Sequence, residues 1–402
     1  MTQWAEFSTR NRIKLLRGNM TQEQLADASG LSVGTVRKAE QGGNLGIASL
    51  LRLASGLGTD VSVILGQQAP RRSMERDERA AVRHMSAAVH DSALGITDDV
   101  EPGSLPVLRA AVRRADAAFW AGEYIELGSV LGSLLPQARA SYGHADGADK
   151  EKAAGVLADA YLTAGMAANL LGARDLGYSA ITYGRQVADQ AGDALRAAHL
   201  MAAHSWVCLR DGHTAKAVRL ASMAADRVEP RMSDTDPDRL SVYGQLVTNA
   251  AVAASRGGAS PDTAREYLSQ AHAVAARLGR EHARGGHGQP YGPVYAITQD
   301  LSVAIALGET GKAARLIDST RLDAPALPLA THARWKLDVA LTRTETRQWD
   351  TAAAELSEVC EMAPRWVRHQ ALPGVIVGRL ADVSVTKVRN LAKAAGVPLG
   401  PR

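Results

Sequence analysis

The chain has 402 residues, with 46 Lys plus Arg against 42 Asp plus Glu and a formal net charge of +4. That length leaves room for more than one domain, and the near balance of charge is compatible with a polyanionic partner without pointing to one. Aromatic residues at 4% and only two cysteines argue against a β-sandwich and a disulfide framework. No apolar run is long enough to span a bilayer and no leader pattern precedes the first helix, so no membrane is expected and the expected compartment is the cytoplasm.

The most specific stretch runs from Arg12 to Gly66. Thr21 followed by Gln24 is a capping-box start, with Leu25, Ala26 and Ala28 on the buried side of a short helix. Gly30 permits the turn that follows, and Leu31 plugs its corner. Ser32 caps a second helix, Val33 to Gln41, with Val36 and Ala39 facing inward. Two short helices across such a turn form a helix-turn-helix, whose second helix fits the major groove of DNA.

The segment resembles the XRE (Cro-like repressor) helix-turn-helix family. The matching residues are Thr21-Gln22, Leu25-Ala26, Gly30-Leu31-Ser32, Thr35-Val36, Glu40 and Gly42, then Leu50, Leu51, Leu53, Ala54 and Leu57. The resemblance implies double-stranded operator DNA as partner, with Gln22 bonding a phosphate. It also implies that Ser32, Val33, Gly34, Thr35, Arg37 and Lys38 form the groove-facing side of the recognition helix. Arg and Lys there bond guanine or phosphate. Val33-Gly34 stands where the family often carries a polar pair, so base reading would lean on Arg37, Lys38 and contact with a thymine methyl. Glu40 is expected to pair with Arg12 or Arg17. A homodimer on two half-sites is expected, because one small helix-turn-helix buries too little surface for tight specific binding.

Three spans are expected: a DNA-binding domain over 1–68, a linker over 69–104, and a helical domain over 105–402. In the linker, Arg71, Arg72, Arg76, Arg79 and Arg83 interleave with Glu75, Asp77 and Glu78, the pattern of a solvated helix face. From Leu105 a tight-turn signature recurs: a Gly ends one helix and apolar residues follow at helical spacing. It runs through Gly122, Leu127, Leu131 and Leu134, then Gly172, Gly177, Ile181 and Gly184, then Gly212, Ala217, Ala221 and Ala224. Weaker copies include Gly308, Ala313 and Ile317, and Trp349, Ala353 and Ser357. The pattern resembles tetratricopeptide repeats, with units longer than the usual ~34 residues. The whole is similar to actinobacterial regulators that couple an XRE domain to such repeats. The fold class is all-α, an N-terminal helix-turn-helix followed by an α-solenoid of TPR-like helix pairs; an unclassified helical bundle is the alternative.

The first helix of each pair makes a solenoid's concave wall, the usual ligand or peptide surface. Counting back from the turns puts Met166, Asn169, His199 and Trp206 there, with Asn249, Tyr295, Thr298 and Gln299 following. Core packing is the competing role for Trp206. The Gly- and Pro-rich stretch 281–293, with His282, Arg284, His287 and Tyr291, is either a lid over a ligand or a surface loop. The C-terminal Val385, Val388, Leu391 and Ala392 fit an amphipathic capping helix.

No metal, cofactor or catalytic residue is expected. Gly30-Leu31-Ser32-Val33-Gly34 matches the serine-hydrolase elbow but lies between two helices rather than after a strand. Gly311-Lys312 lacks the rest of a phosphate loop. The expected function is a transcriptional regulator whose repeats sense a small molecule or peptide and dimerise. The alternative is a DNA-tethered scaffold that recruits a protein without a small ligand.

Overall fold

Among the described residues five short helices come first: α1 (Thr9–Arg17), α2 (Gln22–Ser29), α3 (Val33–Glu40), α4 (Ile47–Gly56) and α5 (Val61–Ile64). The computed structural model describes residues 8–65, 76–97, 99–320, 322, 327–383 and 385–397. The capping box at the head of α2 is formed in both directions: the Thr21 hydroxyl accepts from Gln24 N, and Thr21 N donates to Gln24 Oε1. Gly30 ends the helix in the left-handed region at φ 61°. Ile13, Leu25, Val36, Leu53 and Ile64 close the small core. Arg12 donates to Ile64 O at 2.8 Å, while Glu40 pairs with Arg17 at 2.5 Å.

Next, α6 (Arg76–Leu94) falls within the span read as a linker. It packs against the helix Tyr124–His144 through Val82, Met85 and Val89, which are buried. The approach is close: a Cβ on Gly128 of that partner helix would lie 2.6 Å from Ala81 Cβ. The start of the expected linker, 69–75, with Arg71, Arg72 and Glu75, lies outside the described residues, as do 66–68.

Six antiparallel pairs follow: α7 (Leu105–Ala121) with α8 (Tyr124–His144), α9 (Gly147–Leu170) with α10 (Arg174–Gln190), and α11 (Ala194–Arg210) with α12 (Thr214–Val228). They continue as α13 (Pro237–Ala253) with α14 (Pro261–Leu278), α15 (Pro293–Leu307) with α16 (Thr310–Ser319), and α17 (Leu329–Glu345) with α18 (Trp349–Met362). The helices α19 (Leu372–Ala381) and α20 (Val385–Ala394) end the described fold, which is all-α. Gly122, Gly172, Gly212 and Gly308 turn the pairs at φ 78°, 77°, 81° and 78°. In the last pair Arg347 takes that place at φ 61°, a non-glycine in the left-handed region.

The row of pairs bends until it meets itself. Each inner helix, α7, α9, α11, α13, α15 and α17, packs on the next, and α17 returns to α7. A 3-10 turn, Trp366–His369, seals the join against the α7–α8 turn. There His369 sets its ring edge-on to Tyr124, with centroids 5.4 Å apart, and Arg365 pairs with Glu123. Among the described residues no helix is long and apolar enough to cross a membrane.

The N-terminal helices dock on this ring. Helix α4 packs on α15 and on a π-helical turn, Ala254–Gly258, that extends α13. Ser55 Oγ meets Thr214 Oγ1 at 2.9 Å, Asn44 donates to Asp382 at 2.8 Å, and Arg379 donates to Leu45 O at 2.6 Å. One buried apolar cluster therefore joins Leu25 and Leu53 to Leu301, Trp335 and Leu380.

Candidate nucleic-acid interface and central cavity

The α2–turn–α3 unit presents its polar edge to solvent. Ser32, Gly34, Arg37 and Lys38 are exposed, and Val33 and Thr35 are half-buried. The Ser32 hydroxyl accepts from Thr35 N at 3.1 Å and lies 2.9 Å from Thr35 Oγ1, which fixes the first turn of α3. Gln22 is not free: its Nε2 donates to Glu40 at 2.7 Å, and Glu40 is also held by Arg17. That chain of bonds ties the start of α2 to the end of α3 and sets the angle between them.

The second feature is a cavity of about 210 Å³ inside the ring, lined by all six inner helices. Met166, Asn169, His199, Trp206, Asn249, Tyr295, Thr298 and Gln299 meet on its wall. Their order follows from the register of the inner helices, each contributing side chains one turn apart along one face. Asn249 donates to Ala202 O at 2.9 Å, whereas Asn169 Oδ1 is buried with no partner among the described residues. Aromatic rings dominate the apolar lining, notably Phe119, Trp120, Trp335 and Trp366.

Tyr291 does not reach this wall. It pairs with His282 in an antiparallel bridge, both bonds 2.9 Å, and its hydroxyl donates to Ala271 O at 2.7 Å. The ring is fully buried over Gly244, where a Cβ would lie 2.1 Å from Tyr291 Cε1. The bridge turns this residue into the core and its neighbours toward the cavity. Gly288 N donates to Asp116 at 2.8 Å, Gln245 donates to Gln289 O at 2.6 Å, and Thr331 donates to Gln289 Oε1 at 2.7 Å. The stretch 281–293 is thus bonded across the ring to α7, α13 and α17.

Asp159 anchors this stretch. Arg284 donates to it at 2.6 Å and Arg196 at 3.0 Å, and His287 Nε2 lies 3.4 Å away. Burial alone would raise this carboxyl, but Arg284, His287 and Arg196 reverse that and hold it well below the usual carboxylate range. His199 is pushed down to about 3 by burial and by the adjacent Arg284. It is therefore neutral, and its Nδ1 accepts from Arg284 Nε at 3.1 Å. Burial raises the Asp116 carboxyl, which accepts from Gly288 N and Trp120 Nε1.

At another part of the lining stand Arg210, Arg256 and Arg334, with Asp338 paired to Arg334 at 3.1 Å. Sequence reasoning passed over these residues and over Asp116 and Asp159. One signal was available: Asp159 is a lone carboxylate in the apolar run of α9, an inner helix buried on every side. A charge there requires a partner. Among the described residues no cluster of His, Cys, Asp and Glu could hold a metal.

Residues 12–64, from within α1 to the last residue of α5, match the helix-turn-helix family model. No curated protein and no solved structure matches the chain. The N-terminal helices are an XRE-type helix-turn-helix, a DNA-binding regulatory domain.

Proposed function

We propose that this chain is a transcriptional regulator in which α3 reads operator DNA and the central cavity takes a small-molecule signal. Arg37 and Lys38 would contact bases or phosphates, with Ser32, Val33, Gly34 and Thr35 lying along the groove. Gln22 retains a second amide proton for a phosphate. Two copies of the chain would engage two half-sites, because one such domain buries little surface.

The observation that carries the sensing half is the position of the cavity beside the docked DNA-binding domain. Arg256 lines the cavity and belongs to the same π-helical turn on which α4 packs. Arg210 lines it from the end of α11, adjacent to the turn where Thr59 lies over Gly212. A ligand that moves either residue would bias how the DNA-binding domain is held, and so the population able to span both half-sites. The volume suits a small molecule rather than an extended peptide; an apolar cavity of about 150 Å³ holds benzene.

Full-length protein should shift its own operator in a gel assay more tightly than scrambled DNA. The low-molecular-weight fraction of a native-host extract should change that affinity severalfold. Equal affinity for both DNAs would defeat the reading of α3. An unchanged affinity with extract, together with stoichiometric capture of a host protein, would favour the scaffold.

A further inference from the structure

Resting on the sensing reading above, we propose that the cavity ligand is a small organic anion. Its carboxylate or phosphate would be held by Arg210, Arg256 and Arg334, and its flat apolar body would lie among the tryptophans. The three guanidinium groups come from the end of α11, the π-helical turn after α13, and α17, which are distant in sequence and converge on one cavity wall. Arg334 has Asp338. Among the described residues, Arg210 and Arg256 form no ion pair and no side-chain hydrogen bond, and the Nε of each is buried without an acceptor.

The remaining carboxylates on the wall are committed elsewhere. Asp159 is held by Arg284 and Arg196, and Asp116 accepts from Gly288 N and Trp120. The largest opposing influence on Arg210 is the charge of Asp60, whose Oδ1 caps α5 by accepting from Ser62 N. The ring therefore gathers cations with too few anions at this place. An arginine does not escape the resulting penalty by releasing its proton at neutral pH. Even with burial and Arg334 pushing it down to about 10, Arg256 stays charged. Both residues are half-buried and line the cavity, where a bidentate oxyanion would satisfy their guanidinium groups.

The rest of the wall sets the body of the ligand. Trp206, Trp335, Trp120 and Trp366 offer flat apolar surfaces and few free polar groups. Asp60 belongs to the DNA-binding domain, so a ligand anion would take over guanidinium groups that otherwise feel its charge.

The test is calorimetric titration of full-length protein with matched acids and amides: benzoate and benzamide, naphthalene-2-carboxylate and naphthalene-2-carboxamide, indole-3-acetate and indole-3-acetamide. Phenyl phosphate and 2-naphthyl phosphate form the phosphate arm. At least one acid should bind tenfold or more tightly than its amide, and Arg256→Gln and Arg210→Gln should each abolish that preference. The tighter of the carboxylate and phosphate arms names the head group. An amide that binds as well as its acid overturns the anion assignment while leaving the cavity a ligand site. A preference that survives in both variants also overturns it, because the charge is then held elsewhere. If no probe binds, the assignment fails and the sensing reading is still judged by the extract experiment. The acid–amide comparison in the parent protein decides the matter even where a variant does not fold.

Discussion

Arg284 and Asp159, 125 positions apart, meet at 2.6 Å inside the ring. Both side chains are buried, and the pair joins the stretch between α14 and α15 to the middle of α9. Around it, Arg196 and His287 approach the same carboxylate, and His199 accepts from the same guanidinium. This network closes one side of the cavity and fixes the path of 281–293 across it.

Breaking the network should be costly. Asp159→Asn leaves Arg284 buried without its counter-charge, a change expected to destabilise the fold by about 3–5 kcal/mol. Urea unfolding reads the loss directly, and trypsin should gain access to Arg284. An unaltered midpoint with Arg284 still resistant would show that the stretch is held by its other bonds.

The same network predicts an acid limit. His199 in the native state lies near 3, below the unfolded value of about 6.5. The unfolded chain therefore binds a proton that the folded chain refuses, and stability falls as pH drops below about 6.5. The slope approaches about 1.4 kcal/mol per pH unit for this one group. Asp159, also lowered on folding, adds to the loss only below about pH 4. His272 acts in the opposite sense, because its bond to Asp300 raises it. Unfolding curves from pH 7 to 5 should be flatter for His199→Asn than for the parent protein; parallel curves would mean that His199 is not held neutral.

On the DNA side, Arg37→Ala should weaken specific binding by roughly 1–3 kcal/mol and relax one base position. Lys38→Ala should weaken all sequences alike and lower the salt slope by about 1. Gel shifts at several salt concentrations separate the two. If Arg37→Ala lowers specific and scrambled binding equally, Arg37 touches phosphate rather than a base.

Docking of the DNA-binding domain depends on a glycine. A Cβ on Gly212 would lie 2.3 Å from Thr59 O, and its φ of 81° adds about 1–2 kcal/mol of left-handed strain for other residues. Gly212→Ala should push the N-terminal helices off the ring. Calorimetry would then show two transitions where the parent shows one, and X-ray scattering a larger radius. A single unshifted transition would show that the α11–α12 turn yields without releasing Thr59.

Helix boundaries, turns and facing positions were legible in the sequence because each depends on neighbours a few residues apart. Thr21 with Gln24 and Ser32 with Thr35 cap their helices, and Gly122, Gly172, Gly212 and Gly308 turn the pairs. Counting back from those turns was enough to set Met166, Asn169, His199 and Trp206 on one wall. The tertiary structure alone decided which distant residues meet. A small rotation at each pair accumulates until α17 reaches α7, and no local pattern carries that sum. Tyr291 shows the difference: its place in the stretch 281–293 suggested a ligand contact from a lid, but the bridge to His282 and the space over Gly244 sent it into the core. Arg210, Arg256 and Arg334 lie far apart in the sequence with no pattern linking them, and only closure of the ring brings their charges onto one cavity.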